Sequence, residues 1–377
     1  MEFNPTADQQ MLSDMLNRFL AERYPLEARA RLVDRAPGYS LEAWTQLAEL
    51  GVLGALFDPA AGGYGGAPGD IAVVFEALGR GAVAGPFLQC LMAGSVLASV
   101  ATAASQDLLD AIIGGQTVVA FAHQEPHSRY ELSRVETRAE KSAQGWRLSG
   151  TKAVVAFADA ADYLIVSARA SGSAADEAGV SLFLVPVTAA GLTIQGYAGV
   201  DGARSAEVVL NDVEVAPDAL LGVEGGAFVL VEQVTGVGIL ALCADAIGAL
   251  DVVKASTVEY LQTRVQFGQP IGSFQALQHR MATLLIEIEQ ARSALFNAVA
   301  AFHDDGTVRE RALSAAKYTL GRVGALVAEE AVQLHGGIGM TWEIPLSHYV
   351  KRLIMLDHHL GDVDHHIERY VALGRAA

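Results

Sequence analysis

The hydrophobic period of this 377-residue chain changes twice, and that double change limits its architecture more than any single motif. Met11, Leu12, Met15, Leu16 and Leu20 recur at helical spacing behind Thr6-Ala7-Asp8-Gln9, which has the form of a capping box. Ser40 is placed to cap a helix through Leu50, stopped by Gly51. The glycine-rich Gly62-Gly63-Tyr64-Gly65-Gly66 reads as a loop without phosphate-loop spacing. A helical pattern then runs from about Asp70 to Gly79 and on, broken at Gly85-Pro86, to about Ile113. Near Thr117 the pattern becomes short β-branched or alternating runs: Val118–Ala122, Trp146–Ser149, Ala153–Phe157, Tyr163–Ala168, Val180–Val187, Leu192–Gln195 and Ala206–Val215. From about Gly226 the period is helical again, and Phe274, Leu277, Met281, Leu284, Ile288, Ala291 and Leu295 form a stripe suited to a bundle. Thr307-Val308-Arg309-Glu310 reads as another capping box, opening a helix to Gln333 that stops at Gly336-Gly337; Pro345 starts the last long helix. The predicted fold class is α+β: an N-terminal α-helical domain (1–116), a middle antiparallel β domain (117–222) and a C-terminal helical bundle (223–377).

Half of the residues are apolar and 18% are charged, which excludes disorder and gives a chain of this length sizeable cores. A formal charge of −17 argues against a nucleic-acid partner, which needs clustered Lys and Arg. Cys90 and Cys243 sit in apolar runs and read as small buried residues, not as a disulfide framework. Met1-Glu2-Phe3-Asn4-Pro5 lacks the pattern of a signal peptide. The most apolar run, Val234–Ala244, is followed by Asp245 and is too short to cross a bilayer. A cytoplasmic protein without membrane association is the expectation.

Two motifs carry chemistry. Arg264-Val265-Gln266-Phe267-Gly268-Gln269-Pro270-Ile271, continuing Gly272-Ser273-Phe274-Gln275, places a fixed cation, an amide, an aromatic ring and a glycine at a break between helices. Arg can fork onto a phosphate, Phe offers an apolar face to a ring, and Gly admits close backbone approach. The second is Ala331-Val332-Gln333-Leu334-His335-Gly336-Gly337-Ile338-Gly339-Met340-Thr341-Trp342-Glu343. In this order and separation the two resemble the FAD-binding signatures of the acyl-CoA dehydrogenase family. The resemblance covers essentially the whole chain and implies a barrel-like β domain followed by a four-helix bundle.

The resemblance implies that Arg264, Gln266, Phe267 and Ile271 meet the diphosphate and adenine side of FAD, with Gln333, Gly336 and Gly337 along the diphosphate. FAD held mainly by a neighbouring subunit implies a homo- or hetero-oligomer, dimeric or tetrameric. Phe121-Ala122-His123-Gln124-Glu125-Pro126 resembles the strand that meets the flavin ring, so Phe121, His123 and Gln124 are expected there. Gly150-Thr151-Lys152 matches a further landmark, but the aromatic residue and Thr that follow it in the family are Val154 and Ala156 here. The implied reaction removes the α-proton of an acyl-CoA and passes the β-hydrogen to flavin N5 as hydride, leaving a trans-2-enoyl-CoA, with an electron-transfer flavoprotein as acceptor. A carboxylate base is needed, because the α-proton is weakly acidic. The two base positions of the family fall on Gly238, on the first bundle helix, and Leu360, in the last helix before Gly361. Neither is an acid; Glu232, Asp357 and Asp362 are the nearby candidates. This combination resembles a branch acting on steroid or other bulky side-chain CoA esters, some of whose members pair two different chains. The alternatives are a non-catalytic partner subunit and a flavin monooxygenase. His358, His359, His365 and His366 have helical spacing that would suit a metal, but no second helix or Cys completes a site, and no metal is expected.

Overall fold

The computed structural model describes residues 5–24, 32 and 35–376; the Met1–Asn4 segment lies outside them. Among the described residues, helices come first: α1 (Ala7–Arg23), α2 (Leu41–Glu49), α3 (Pro68–Arg80), α4 (Phe87–Val100) and α5 (Ala103–Ile113). Strands follow as β1 (Val119–Ala122), β2 (Arg138–Ser142), β3 (Gly145–Ala156), β4 (Tyr163–Arg169), β5 (Val180–Pro186), β6 (Leu192–Ala198), β7 (Arg204–Val215) and β8 (Leu220–Leu221). Then come α6 (Phe228–Thr263), a β9 (Val265–Gln266) and β10 (Gln269–Pro270) hairpin, α7 (Gln275–Ala300), α8 (Gly306–His335), α9 (Leu346–His358) and α10 (Val363–Ala376).

The chain forms two compact units, neither contiguous in sequence: 1–26 with 68–83 and 239–377, and 27–67 with 84–238. The second unit holds the sheet, ordered β6-β7-β3-β2-β4-β5-β8 with β1 beside β4. Its long ladders are antiparallel as predicted, but β1 pairs with β4 in parallel, because the β2–β3 hairpin lies between them in the chain. The runs read separately as Trp146–Ser149 and Ala153–Phe157 belong to one strand, β3, whose register against β7 shifts after Leu148 and after Lys152. Strand β2 was not predicted: Arg-Ala-Glu-Lys-Ser has one buried residue and no apolar run. Against this sheet unit's core, Trp44 packs on Phe87 with ring centroids 4.9 Å apart and donates its Nε1–H to the Gly115 carbonyl at 2.9 Å.

In the first unit the Thr6 capping box forms as read, with Gln9 N–H donating to Thr6 Oγ1 at 3.2 Å. Helices α3 and α6 meet backbone to backbone: a Cβ on Gly79 would strike the Asp245 carbonyl, and one on Gly248 the Glu76 carbonyl. Asp245, buried on α6, accepts from Arg352 Nε of α9 at 2.7 Å, and Arg352 also donates to the Val83 carbonyl at 3.1 Å. The stripe on α7 is buried at Met281, Leu284, Ile288, Ala291 and Leu295. Three boundaries differ from the reading. A break at Ala101-Thr102 separates α4 from α5, since Ala101 is left-handed and Thr102 caps the next helix. Helix α8 begins earlier, because the Asp305 carboxylate and not Thr307 accepts from Val308 N–H, at 3.1 Å; Glu310 is turned to Arg309 and Arg369 instead. The last long helix is two, α9 and α10, divided by Leu360 and Gly361, both at positive φ. The apolar run Val234–Ala244 is part of a far longer apolar helix, α6, which by length and composition alone would suit a bilayer; 83% of its most apolar window is already buried within the chain.

Candidate active site

On the sheet unit, the end of β1 is held by side chains. Phe121 N–H donates to Gln89 Oε1 of α4 at 2.8 Å, and the Phe121 and His123 rings stack at 5.9 Å. His123 Nδ1 lies 2.9 Å from Ser167 Oγ, and its other partner is the Leu132 carbonyl. Burial and then the Lys152 charge push its pKa down to about 3, so it is a neutral ring. Gln124 is half-buried and its carbonyl accepts from Ala153 N–H at 2.8 Å.

The strongest electrostatic feature here is a buried pair that sequence reading did not assign. Lys152 is fully buried; its Nζ donates to Glu125 Oε1 at 2.6 Å, Ser167 Oγ at 3.0 Å and the His123 carbonyl at 3.2 Å. Glu125 also accepts backbone N–H from Glu136 at 2.7 Å and Thr137 at 3.0 Å. Burial pushes the carboxyl up, but the ammonium and these donors outweigh it and hold it below its usual range. Burial lowers Lys152 to about 8 against the opposing pull of Glu125. The signal was present in the sequence. Trp146, Leu148 and Lys152 share the inward phase of β3, and an inward lysine demands an anion. Just beyond, the bulge leaves Val154 at φ +54°, exposed.

On the first unit, α6 ends at Thr263 and the next residues form the hairpin. Phe267 and Gly268 stand at φ +55° and +82°, the signature of a tight primed turn, and Ile271 N–H closes it on the Arg264 carbonyl at 2.8 Å. Positive φ is unusual for an aromatic residue, and Phe267 is 90% exposed, its ring touching only the edge of Phe274 among the aromatic rings described. Arg264 and Gln266 are exposed beside it, and Ile271 is half-buried. Helix α8 ends at His335, whose ring stacks on Tyr260 at 4.4 Å, so the terminal turns of α6 and α8 lie side by side. The two sequence motifs therefore follow helix ends that lie side by side. Gln333, Gly336 and Gly337 are exposed on this end, and a Cβ on either glycine would meet no atom of the chain within 4 Å. The residues fit a diphosphate-bearing, ring-bearing cofactor: a forked cation, an uncovered aromatic ring and bare backbone on one edge.

Gly238 is buried on α6, and Leu360 lies in the connection between α9 and α10, not within a helix. Asp357 points at Gly321 of α8, its Oδ1 3.9 Å from Lys317 Nζ, and burial raises its pKa. Asp362 Oδ1 caps α10 through His365 N–H at 2.9 Å. Asp362 thus has a structural task, while Asp357 Oδ1 is buried without a hydrogen-bond partner; Glu232, on α6, is half-buried. His366 Nε2 is 2.9 Å from the Leu360 carbonyl.

Models of the N-terminal, middle and C-terminal domains of acyl-CoA dehydrogenase match residues 6–115, 120–213 and 226–361. The mouse mitochondrial long-chain specific acyl-CoA dehydrogenase is 30% identical over 83% of this chain and 74% of its own length. This chain belongs to the acyl-CoA dehydrogenase family. The short-chain specific acyl-CoA dehydrogenase of Megasphaera elsdenii is 28% identical, over 93% of this chain and 94% of its own. Among solved structures, a Tcur3481-Tcur3483 steroid ACAD variant superposes with TM-score 0.87 at 29% identity, covering 98% of this chain and 99% of that one. The FAD complex of PigA superposes at 0.91 with 25% identity, covering both chains fully. The acyl-CoA dehydrogenases are oxidoreductases and flavoproteins, and the three domains occur here in the family's order.

Proposed function

We propose that this chain desaturates an acyl-CoA thioester between Cα and Cβ with FAD as its cofactor, that the acyl group is a steroid side chain or similarly bulky, and that it works as an oligomer in the cytoplasm. The observation that carries the reading is that the Phe267 hairpin and the Gly336-Gly337 turn, both uncovered within the chain, follow helix ends packed side by side through Tyr260 and His335. When bound, FAD accepts the β-hydrogen as hydride. The chain's own residues bind and orient: Arg264 offers its fork to a diphosphate, Phe267 an apolar face, and Gly336 and Gly337 backbone without a Cβ. On the sheet unit, the Lys152–Glu125 pair fixes the backbone that carries Phe121 and Gln124.

Removal of the α-proton needs a base. Asp362 caps α10, and of the other two acids Glu232 is the candidate because it shares α6 with Gly238, six residues and roughly 9 Å along the helix from it. The bulky substrate is supported by likeness to the steroid ACAD, and the oligomer by Leu285 and Ile286, exposed over an open depression of about 650 Å³ on α7 and α8. An electron-transfer flavoprotein is the proposed acceptor. Two buried free cysteines suit a reducing compartment, which cell fractionation would check.

Gly337 offers a clean test, because a larger side chain there meets nothing in the chain itself. Gly337→Val is expected to keep the melting temperature of the apoprotein and weaken FAD binding at least about tenfold, roughly 1.4 kcal/mol. Unchanged FAD affinity by fluorescence titration would remove this edge from the cofactor site.

A further inference from the structure

The connection between α9 and α10 is held in an unusual shape from beneath. Leu360 and Gly361 stand at φ +55° and +108° in succession, and a Cβ on Gly361 would collide with the rings of His365 and His366. Lys317 of α8, 2% exposed, donates from Nζ to the Gly361 carbonyl at 2.6 Å and the Asp357 carbonyl at 2.8 Å. His366, 1% exposed, is 2.9 Å from the Leu360 carbonyl through Nε2, while its Nδ1 and Asp357 Oδ1 are buried with no hydrogen-bond partner. A carbonyl can only accept, so His366 carries its proton on Nε2. Three carbonyls of one short segment are thus each claimed by a buried side chain.

We infer that Lys317, with His366, is a positioning pair that fixes the 359–362 connection and thereby sets where residue 360 stands during acyl-CoA oxidation. The functional half of this rests on the reading under Proposed function; the structural half does not. A buried ammonium reaching two carbonyls four residues apart defines their separation, and the imidazole fixes the carbonyl between them. A left-handed leucine persists only where its surroundings over-determine it. Lys317 lies near Asp357, Asp362 and Cys243 of α6, and the charges acting on His366 are Lys317 of α8 and, on α10, His365 and Arg369. Burial first, then Lys317, lowers His366 to about 3, so the imidazole stays neutral and keeps its Nε2–H tautomer across the working range.

Histidine ¹⁵N spectra of the full native chain test the imidazole directly: His366 is expected as the Nε2–H tautomer, untitrated between about pH 5 and 8. Titration in that window, or the Nδ1–H form, overturns the pair even if every lysine variant fails to fold. Hydrogen exchange of peptides across 357–366 then compares native, Lys317→Met and Lys317→Met/His366→Gln proteins. The single variant is expected to exchange about tenfold faster there, with an excess that grows toward acid as His366 begins to protonate. The double variant keeps the faster exchange and loses the acid-side growth, because glutamine does not titrate. Native-like protection in Lys317→Met, or acid-side growth that survives in the double variant, overturns the proposal. On any acyl-CoA the native enzyme turns over, Lys317→Met is expected to lower kcat about tenfold with KM within about threefold and flavin content kept. Unchanged kcat with a loosened segment overturns the functional half. Native protein that turns over no ester would count against the proposed function and leave the exchange result standing.

Discussion

Lys152 shows how one inward-facing charge organises a site. Its ammonium reaches the His123 carbonyl, Ser167 Oγ and the Glu125 carboxylate. Lys152→Met leaves Glu125 buried without its cation, and loss of one partner from a buried pair costs about 3–5 kcal/mol. Urea denaturation should show that loss near neutral pH; a cost under about 1 kcal/mol would mean the pair is dispensable. The pH dependence has a definite sign. Lys152 is lowered to about 8 in the folded state, so above that value the unfolded chain holds the extra proton and the folded form gains stability as pH rises toward the unfolded pKa. That gain should vanish in Lys152→Met. Phe267 makes the opposite argument, because its left-handed backbone costs roughly 1–2 kcal/mol and its ring is uncovered within the chain. Phe267→Asn suits the turn better. It should raise the melting temperature of the apoprotein and lower its affinity for FAD; gains in both would deny Phe267 a role in binding.

Helix ends decide where the motifs stand. Asp305, not Thr307, caps α8, so Asp305→Ala should cost about 1 kcal/mol in thermal or urea unfolding while Thr307→Ala costs a few tenths; the reverse order would move the start of the helix. Strong local chemistry was readable from sequence: the Thr6 box, the Ser40 cap, the apolar runs of β4 and β5 and the alternation of β7 gave their elements directly. What escaped reading depends on partners distant in the chain. Strand β2 is polar and takes its place from pairing with β3, and Glu310 was drawn from a cap by Arg309 and Arg369. The division of α9 from α10 at a left-handed leucine is invisible to a periodicity count, because leucine favours helix and Lys317 and His366, distant in the sequence or beyond the break, hold the segment otherwise. For the candidate site, the resemblance singled out Phe267 and Gly337, whereas the Lys152–Glu125 pair needed the register of β3 to be seen.

At the scale of the whole molecule, the three domains of an oxidoreductase family occur in one chain, and neither expected base position carries an acid. The fold belongs to the acyl-CoA dehydrogenases; the chemistry of this chain rests on whether flavin and a carboxylate act together in it. Glu232→Gln separates flavin loading from proton removal, since it should retain FAD and lose at least about a hundredfold in rate. The most direct measurement is the visible spectrum of the purified chain, loaded with FAD and mixed without oxygen with steroid side-chain CoA esters. The account predicts a flavin spectrum that bleaches with one such ester and yields its 2-enoyl-CoA. Bound flavin that stays oxidised with every ester, but bleaches once a second protein chain is added, would contradict it.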